Sequence, residues 1–82
     1  MNEIAVPIVI LAGGIAHRLR PLTENIPKAM LDIHGEPFIA HQLRLLRSKG
    51  ARRVVICAGY LGEMIQSFVK DGHAFNLEIT FS

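Results

Sequence analysis

The sequence predicts an α/β fold, a parallel sheet with flanking helices, and three observations predict it. Ile8-Val9-Ile10-Leu11 and Arg53-Val54-Val55-Ile56-Cys57-Ala58 are short runs rich in β-branched residues, as expected of strands in a parallel sheet. Two later segments, around Phe38 to Leu46 and Met64 to Val69, space their apolar residues at helical intervals. The order strand, connection, helix, strand, helix, strand then calls for parallel strands joined by right-handed crossovers.

The first strand starts at or just after Pro7, which has no amide hydrogen for a ladder. Its continuous apolar run predicts burial on both faces. Residues 12 to 36 are punctuated by Gly and Pro without a helical period, and a connection that long in a compact domain is usually functional. Glu36-Pro37 opens the first helix, with proline at a first-turn position that tolerates its missing N–H. Phe38, Ile39, Leu43 and Leu46 form the apolar stripe, Leu45 widens it, and Gly50 ends the helix. After the strand from Arg53 to Ala58, Gly59-Tyr60 turns the chain into a helix over 62 to 70, with Met64, Ile65, Phe68 and Val69 on one face and Asp71-Gly72 closing it. Leu77, Ile79 and Phe81 alternate with polar neighbours, which predicts a third strand.

At 82 residues, half of them apolar and 20% charged, residues 1 to 82 make one domain with a small core, burying roughly 60% of the unfolded surface. A net charge of +2 argues against nucleic acid or an anionic membrane as partner, and suits small anionic ligands better. Arg44, Arg47, Lys49, Arg52 and Arg53 read as a solvated helix face and its exit turn. The single cysteine, Cys57, excludes an internal disulfide and reads as a buried structural thiol. His17, His34, His41 and His73 lack paired metal-ligand spacing, so no zinc site is expected. Asp32 reads as a turn or surface carboxylate. Glu3 stands where a secretory signal would be basic, and the N-terminal apolar run is too short to span a bilayer, so a cytoplasmic location is expected.

Residues 11 to 31, L-A-G-G-I-A-H-R-L-R-P-L-T-E-N-I-P-K-A-M-L, carry most of the chemistry. Backbone amides bared by glycine, with Arg18 and Lys28, are the groups that hold a nucleoside triphosphate. Two familiar glycine motifs fail here. The dinucleotide fingerprint needs G-x-G-x-x-G opening a helix, and the P-loop needs Gly-Lys-Ser/Thr. The run instead resembles the opening of the sugar-1-phosphate nucleotidylyltransferases, L-A-G-G-x-G-T-R-L-x-P-L-T, three residues, then P-K. It matches at Leu11, Ala12, Gly13, Gly14, Arg18, Leu19, Pro21, Leu22, Thr23, Pro27 and Lys28. The similarity extends through the helix after Pro37 and the V-V-I-C-A-G-Y-L segment, and is nearest to the mannose- or glucose-1-phosphate type.

The resemblance implies a Rossmann-like fold of the glycosyltransferase A kind, of which this chain would be the N-terminal portion. It implies transfer of a nucleoside monophosphate from a nucleoside triphosphate to a sugar 1-phosphate, chemistry that is mostly positioning and charge neutralisation. Leu11, Ala12, Gly13 and Gly14 would approach the nucleotide through their backbone, Arg18 would neutralise the triphosphate, and Lys28 would offset charge growing in the transition state. Mg²⁺ is the implied cofactor, with its aspartates beyond Ser82, so no residue here is assigned as a metal ligand and the 82 residues alone are expected to be inactive.

The chain departs from the pattern at Ala16-His17, where the family has Gly-Thr. Alanine there costs strain or holds the ligand away if the loop needs positive φ or close phosphate approach. A non-catalytic nucleotide- or sugar-nucleotide-binding module is therefore the alternative, and a ligand-free interaction domain is a third. An exposed third strand on a half-covered sheet also favours self-association.

Overall fold

The computed structural model describes residues 3–12, 27–59 and 62–82. Strand β1 (Ile8–Leu11) leads, through a 3-10 turn at Lys28–Met30 and the short strands β2 (Asp32–Ile33) and β3 (Glu36–Pro37), into helix α1 (Phe38–Ser48). Strand β4 (Arg53–Cys57), helix α2 (Gly62–Val69), a 3-10 turn at His73–Phe75 and strand β5 (Glu78–Phe81) follow. The main sheet is parallel with order β1-β4-β5. Ile8 lies opposite Val54, Leu11 opposite Cys57, Val54 opposite Ile79 and Ile56 opposite Phe81.

Because the chain steps in the same direction twice, two right-handed crossovers put both helices on one face. Val54, Ile56 and Ile79 are buried there with Ile39, Leu43, Ile65 and Val69, and Ile8, Ile10 and Phe81 pack against the cluster. The expectation of burial on both faces of the strands is corrected: Val9 is 59% exposed and Leu11 83% exposed. Cys57 is half-buried, where a buried thiol was expected. Val9→Thr should accordingly stay within about 0.5 kcal/mol of the parent, whereas Ile56→Ala, fully buried on the central strand, should lose about 2–4 kcal/mol. Urea unfolding distinguishes the two outcomes.

The connection over 12 to 36 is also more structured at its end than its Gly/Pro punctuation suggests. β2 and β3 pair antiparallel, Asp32 opposite Pro37 and Ile33 opposite Glu36. His34 (φ 52°) and Gly35 (φ 86°) between them are both left-handed, as a two-residue type I′ hairpin turn requires. Gly35 N–H donates to Asp32 Oδ2 at 3.4 Å, which fits Asp32 as a turn residue. Pro37 sits just before α1 in extended geometry rather than within its first turn. His41 Nε2 hydrogen-bonds the Ile33 carbonyl at 2.8 Å, and Arg44 pairs with Glu36, so α1 carries the hairpin on its polar flank. Gly50 (φ 101°) supplies the left-handed stop.

Candidate functional site

In an open α/β sheet, ligands bind beyond the carboxyl ends of the strands, and Leu11 and Ala12 lie at that edge. Ala12 N–H donates to the Cys57 carbonyl at 2.8 Å, which extends the β1-β4 ladder one residue past β1. Leu11 projects from the uncovered face and Ala12 is half-buried, so the backbone of this pair is fixed immediately before the glycines. Gly62 N–H donates to the Gly59 carbonyl at 3.0 Å and Ser82 N–H to the Ile56 carbonyl at 3.0 Å, defining the ends of β4 and β5.

Between those ends lies a pocket of about 240 Å³ lined by Ala58, Gly59, Gly62, Gln66, Phe81 and Ser82, with Glu63 at the start of α2. A Cβ on Gly62 would lie 3.0 Å from Ala58 Cβ; glycine lets α2 begin tight against the end of β4. That volume is below the roughly 300–1,000 Å³ of sites for whole small ligands. It can take only part of a nucleotide. Glu63 and Gln66 are not legible as pocket residues in the sequence, where an i, i+3 polar pair on a short helix carries no distinctive signal.

Lys28 opens the 3-10 turn and is exposed, while its neighbours Pro27 and Ala29 are buried. The Pro27 carbonyl accepts from Met30 N–H at 2.9 Å and the Lys28 carbonyl from Leu31 N–H at 3.1 Å. Phe38 N–H donates to the Leu31 carbonyl at 2.9 Å, tying this turn to the start of α1. In a parallel crossover that helix start faces the carboxyl side of the sheet. The lysine is thus an exposed cationic head on a packed base. Gly13, Gly14 and Arg18 lie outside the described residues, as do Ala16, His17 and Tyr60.

Among the described residues no group of three or more His, Cys, Asp or Glu is placed to hold a metal ion, so the side chains described do not fit a Mg²⁺ site by themselves. No described helix is long and apolar enough to cross a membrane.

Known proteins share both the sequence and this architecture. The chain is 39% identical over 69 residues to choline-phosphate cytidylyltransferase of Streptococcus pneumoniae, covering 84% of this chain and 30% of that protein. It is 41% identical over 63 residues to mannose-1-phosphate guanylyltransferase 1 of Arabidopsis thaliana, covering 77% of this chain and 18% of that protein. The crystal structure of HddC from Yersinia pseudotuberculosis complexed with GMP-PN superposes with a TM-score of 0.79 at 33% identity, over 93% of this chain and 34% of that one. The chain therefore spans about a third or less of the length of these relatives. The names of the two enzymes matched in sequence differ in both nucleotide and acceptor. Residues 7–82 match the profile of the nucleotidyl transferases, and the chain belongs to that family.

Proposed function

We propose that this chain supplies the triphosphate-gripping edge of an enzyme that transfers a nucleoside monophosphate from a nucleoside triphosphate to a sugar 1-phosphate. A phosphate oxygen of the acceptor attacks the α-phosphorus, a new P–O bond forms, the α–β bridging bond breaks, and pyrophosphate departs with the electron pair. Gly13 and Gly14 hold the nucleotide through backbone amides, glycine admitting phosphate where a side chain would block it, and Ala12, whose own N–H is bonded to the Cys57 carbonyl, anchors the backbone just before them. Arg18 neutralises the triphosphate and the leaving pyrophosphate, and Lys28 acts as a point charge beside the reacting phosphates. Mg²⁺, when bound, supplies further charge neutralisation from ligands outside the described side chains.

The observation that carries this proposal is Lys28, an exposed ammonium between buried Pro27 and Ala29, at the motif spacing in sequence from Ala12, whose backbone is fixed at the end of β1. The relatives' shared nucleotidyl transferase character supports it. The direct test is nucleotide-sugar formation by a full-length protein containing these residues, with Mg²⁺ and a panel of nucleoside triphosphates and sugar 1-phosphates. Absence of product across the panel would rule it out.

Ala16 favours a second reading, a nucleotide-binding module without turnover, because alanine stands where the motif has glycine. Under the enzyme reading, Ala16→Gly should bind triphosphate equally well or up to about fivefold more tightly, as relief of roughly 1 kcal/mol of backbone strain would allow. Isothermal calorimetry measures this, and weaker binding by Ala16→Gly contradicts the account of the loop.

A further inference from the structure

The basic residues that read in sequence as a solvated helix face gather, in part, around a different feature. At the amino ends of the strands, opposite the edge that carries Ala12, is an open groove of about 680 Å³. Arg47, Arg52, Arg53 and His73 line it, with Glu3 and Glu78 as the carboxylates. Its volume is within the range of metabolite sites. Three guanidiniums face two carboxylates, and the groove is therefore net positive before His73 is counted.

Among the described residues the guanidiniums are anchored yet largely unspent. Arg47 donates to the Ala51 carbonyl at 3.2 Å, Arg52 to Glu3 at 2.7 Å and Arg53 to the Ala5 carbonyl at 2.6 Å. Each guanidinium has five N–H donors, and these bonds use one apiece. They also orient the groups, because Arg52 and Arg53 sit at the start of β4 and Arg47 in the last turn of α1. Glu3 is the only carboxylate paired with any of the three among the described residues. It is held in place by a short segment whose backbone is tied down by Ile4 N–H donating to the Gly50 carbonyl at 2.7 Å. The Glu3 carboxylate, through its hydrogen bond and charge, holds the Arg52 guanidinium above its ordinary pKa.

We infer that this groove is a second anion site, at the sheet edge opposite the proposed nucleotide site, in which a small polyphosphate or polycarboxylate takes the place of Glu3 on Arg52 and also engages Arg53 and Arg47. Glu3 then acts as an internal competitor, and occupancy releases the amino-terminal segment from Arg52. Nothing in this depends on the nucleotidyl transfer proposed above.

Pyrophosphate is the probe, followed on the chain by amide chemical shifts in a titration. Shifts should centre on Gly50, Arg52, Arg53 and Asn76. Glu3→Gln, an exposed change, should tighten binding about fivefold, and Arg52→Gln with Arg53→Gln should weaken it by roughly tenfold or more, the loss expected for charge-assisted hydrogen bonds. Arg53→Lys, which keeps the charge, should retain binding better than Arg53→Gln. Binding should also fall as salt rises, the groove being open to solvent. Shifts confined to Ala12, Lys28 and their neighbours would report the other edge alone and overturn the inference. So would affinity unchanged in Glu3→Gln or in the arginine variants.

Discussion

Gly72→Ala is expected to remove about 3 kcal/mol or more of stability. Gly72 is buried with φ +88°, and a Cβ there would lie 2.6 Å from both Ile79 Cγ1 and the Leu77 carbonyl oxygen. The left-handed backbone alone costs an L-residue about 1–2 kcal/mol. The contact with a carbonyl cannot be relieved by rotating a side chain, because Leu77 N–H is itself bonded to the Gly72 carbonyl at 3.1 Å. Moving Leu77 displaces the entry to β5. At roughly 0.05–0.15 kcal/mol per residue, total stability of a domain this size is only about 4–12 kcal/mol. Gly35→Ala is the control: φ is similar at +86°, but nothing lies within 4 Å of the added Cβ, so about 1 kcal/mol is expected. Urea midpoints of the two variants separate steric from conformational cost, and equal losses would refute the clash.

Lys28→Ala, in a full-length protein, is expected to lower turnover by about 10²-fold or more while changing stability by less than about 0.5 kcal/mol. The side chain is exposed, whereas packing of the turn is done by Pro27 and Ala29. Its removal therefore takes away charge without opening a cavity. Arg18→Ala is expected to follow the same pattern of lost turnover with retained stability. Steady-state kinetics beside thermal melts make the test. Parallel losses of activity and stability would assign Lys28 to the scaffold instead.

The strands and helices were legible because apolar period and punctuation agreed: Gly50 does end α1 with positive φ, and Leu77, Ile79 and Phe81 do announce β5. The hairpin was not. Each of its strands is two residues long, too short for alternation to register, and its turn is His34-Gly35 where Asn-Gly or Asp-Gly would have been a clear signal. The His73–Phe75 turn was likewise unread, since its order comes from long-range packing: Phe75 lies 6.0 Å from Phe68 and beneath the Arg44 guanidinium at 5.9 Å. One-sided burial of β1 could not be seen either. Ile8-Val9-Ile10-Leu11 is apolar on both faces, and only the strand order β1-β4-β5 decides which side receives helices. At the site, the spacing of the L-A-G-G to P-K residues was legible through its resemblance to a family's opening pattern, whereas the pocket beside Glu63 and Gln66 exists only once β4 and β5 are neighbours.

The same strand order also bears on how the chain assembles. Val54 pairs with Ile79 on one side and with Ile8 on the other, and the loop closed by the second pairing is nearly twice as long as that closed by the first. Each doubling of a flexible loop adds about 0.6 kcal/mol of closure entropy. The β4-α2-β5 unit is thus the cheaper nucleus, and β1 the later arrival. Transition-state φ-values should be higher for Ile79→Val than for Ile8→Val. The strand that delivers Ala12 to the edge would then be seated after the scaffold that receives it has formed, and the late step in folding would also be the one that completes the proposed nucleotide grip.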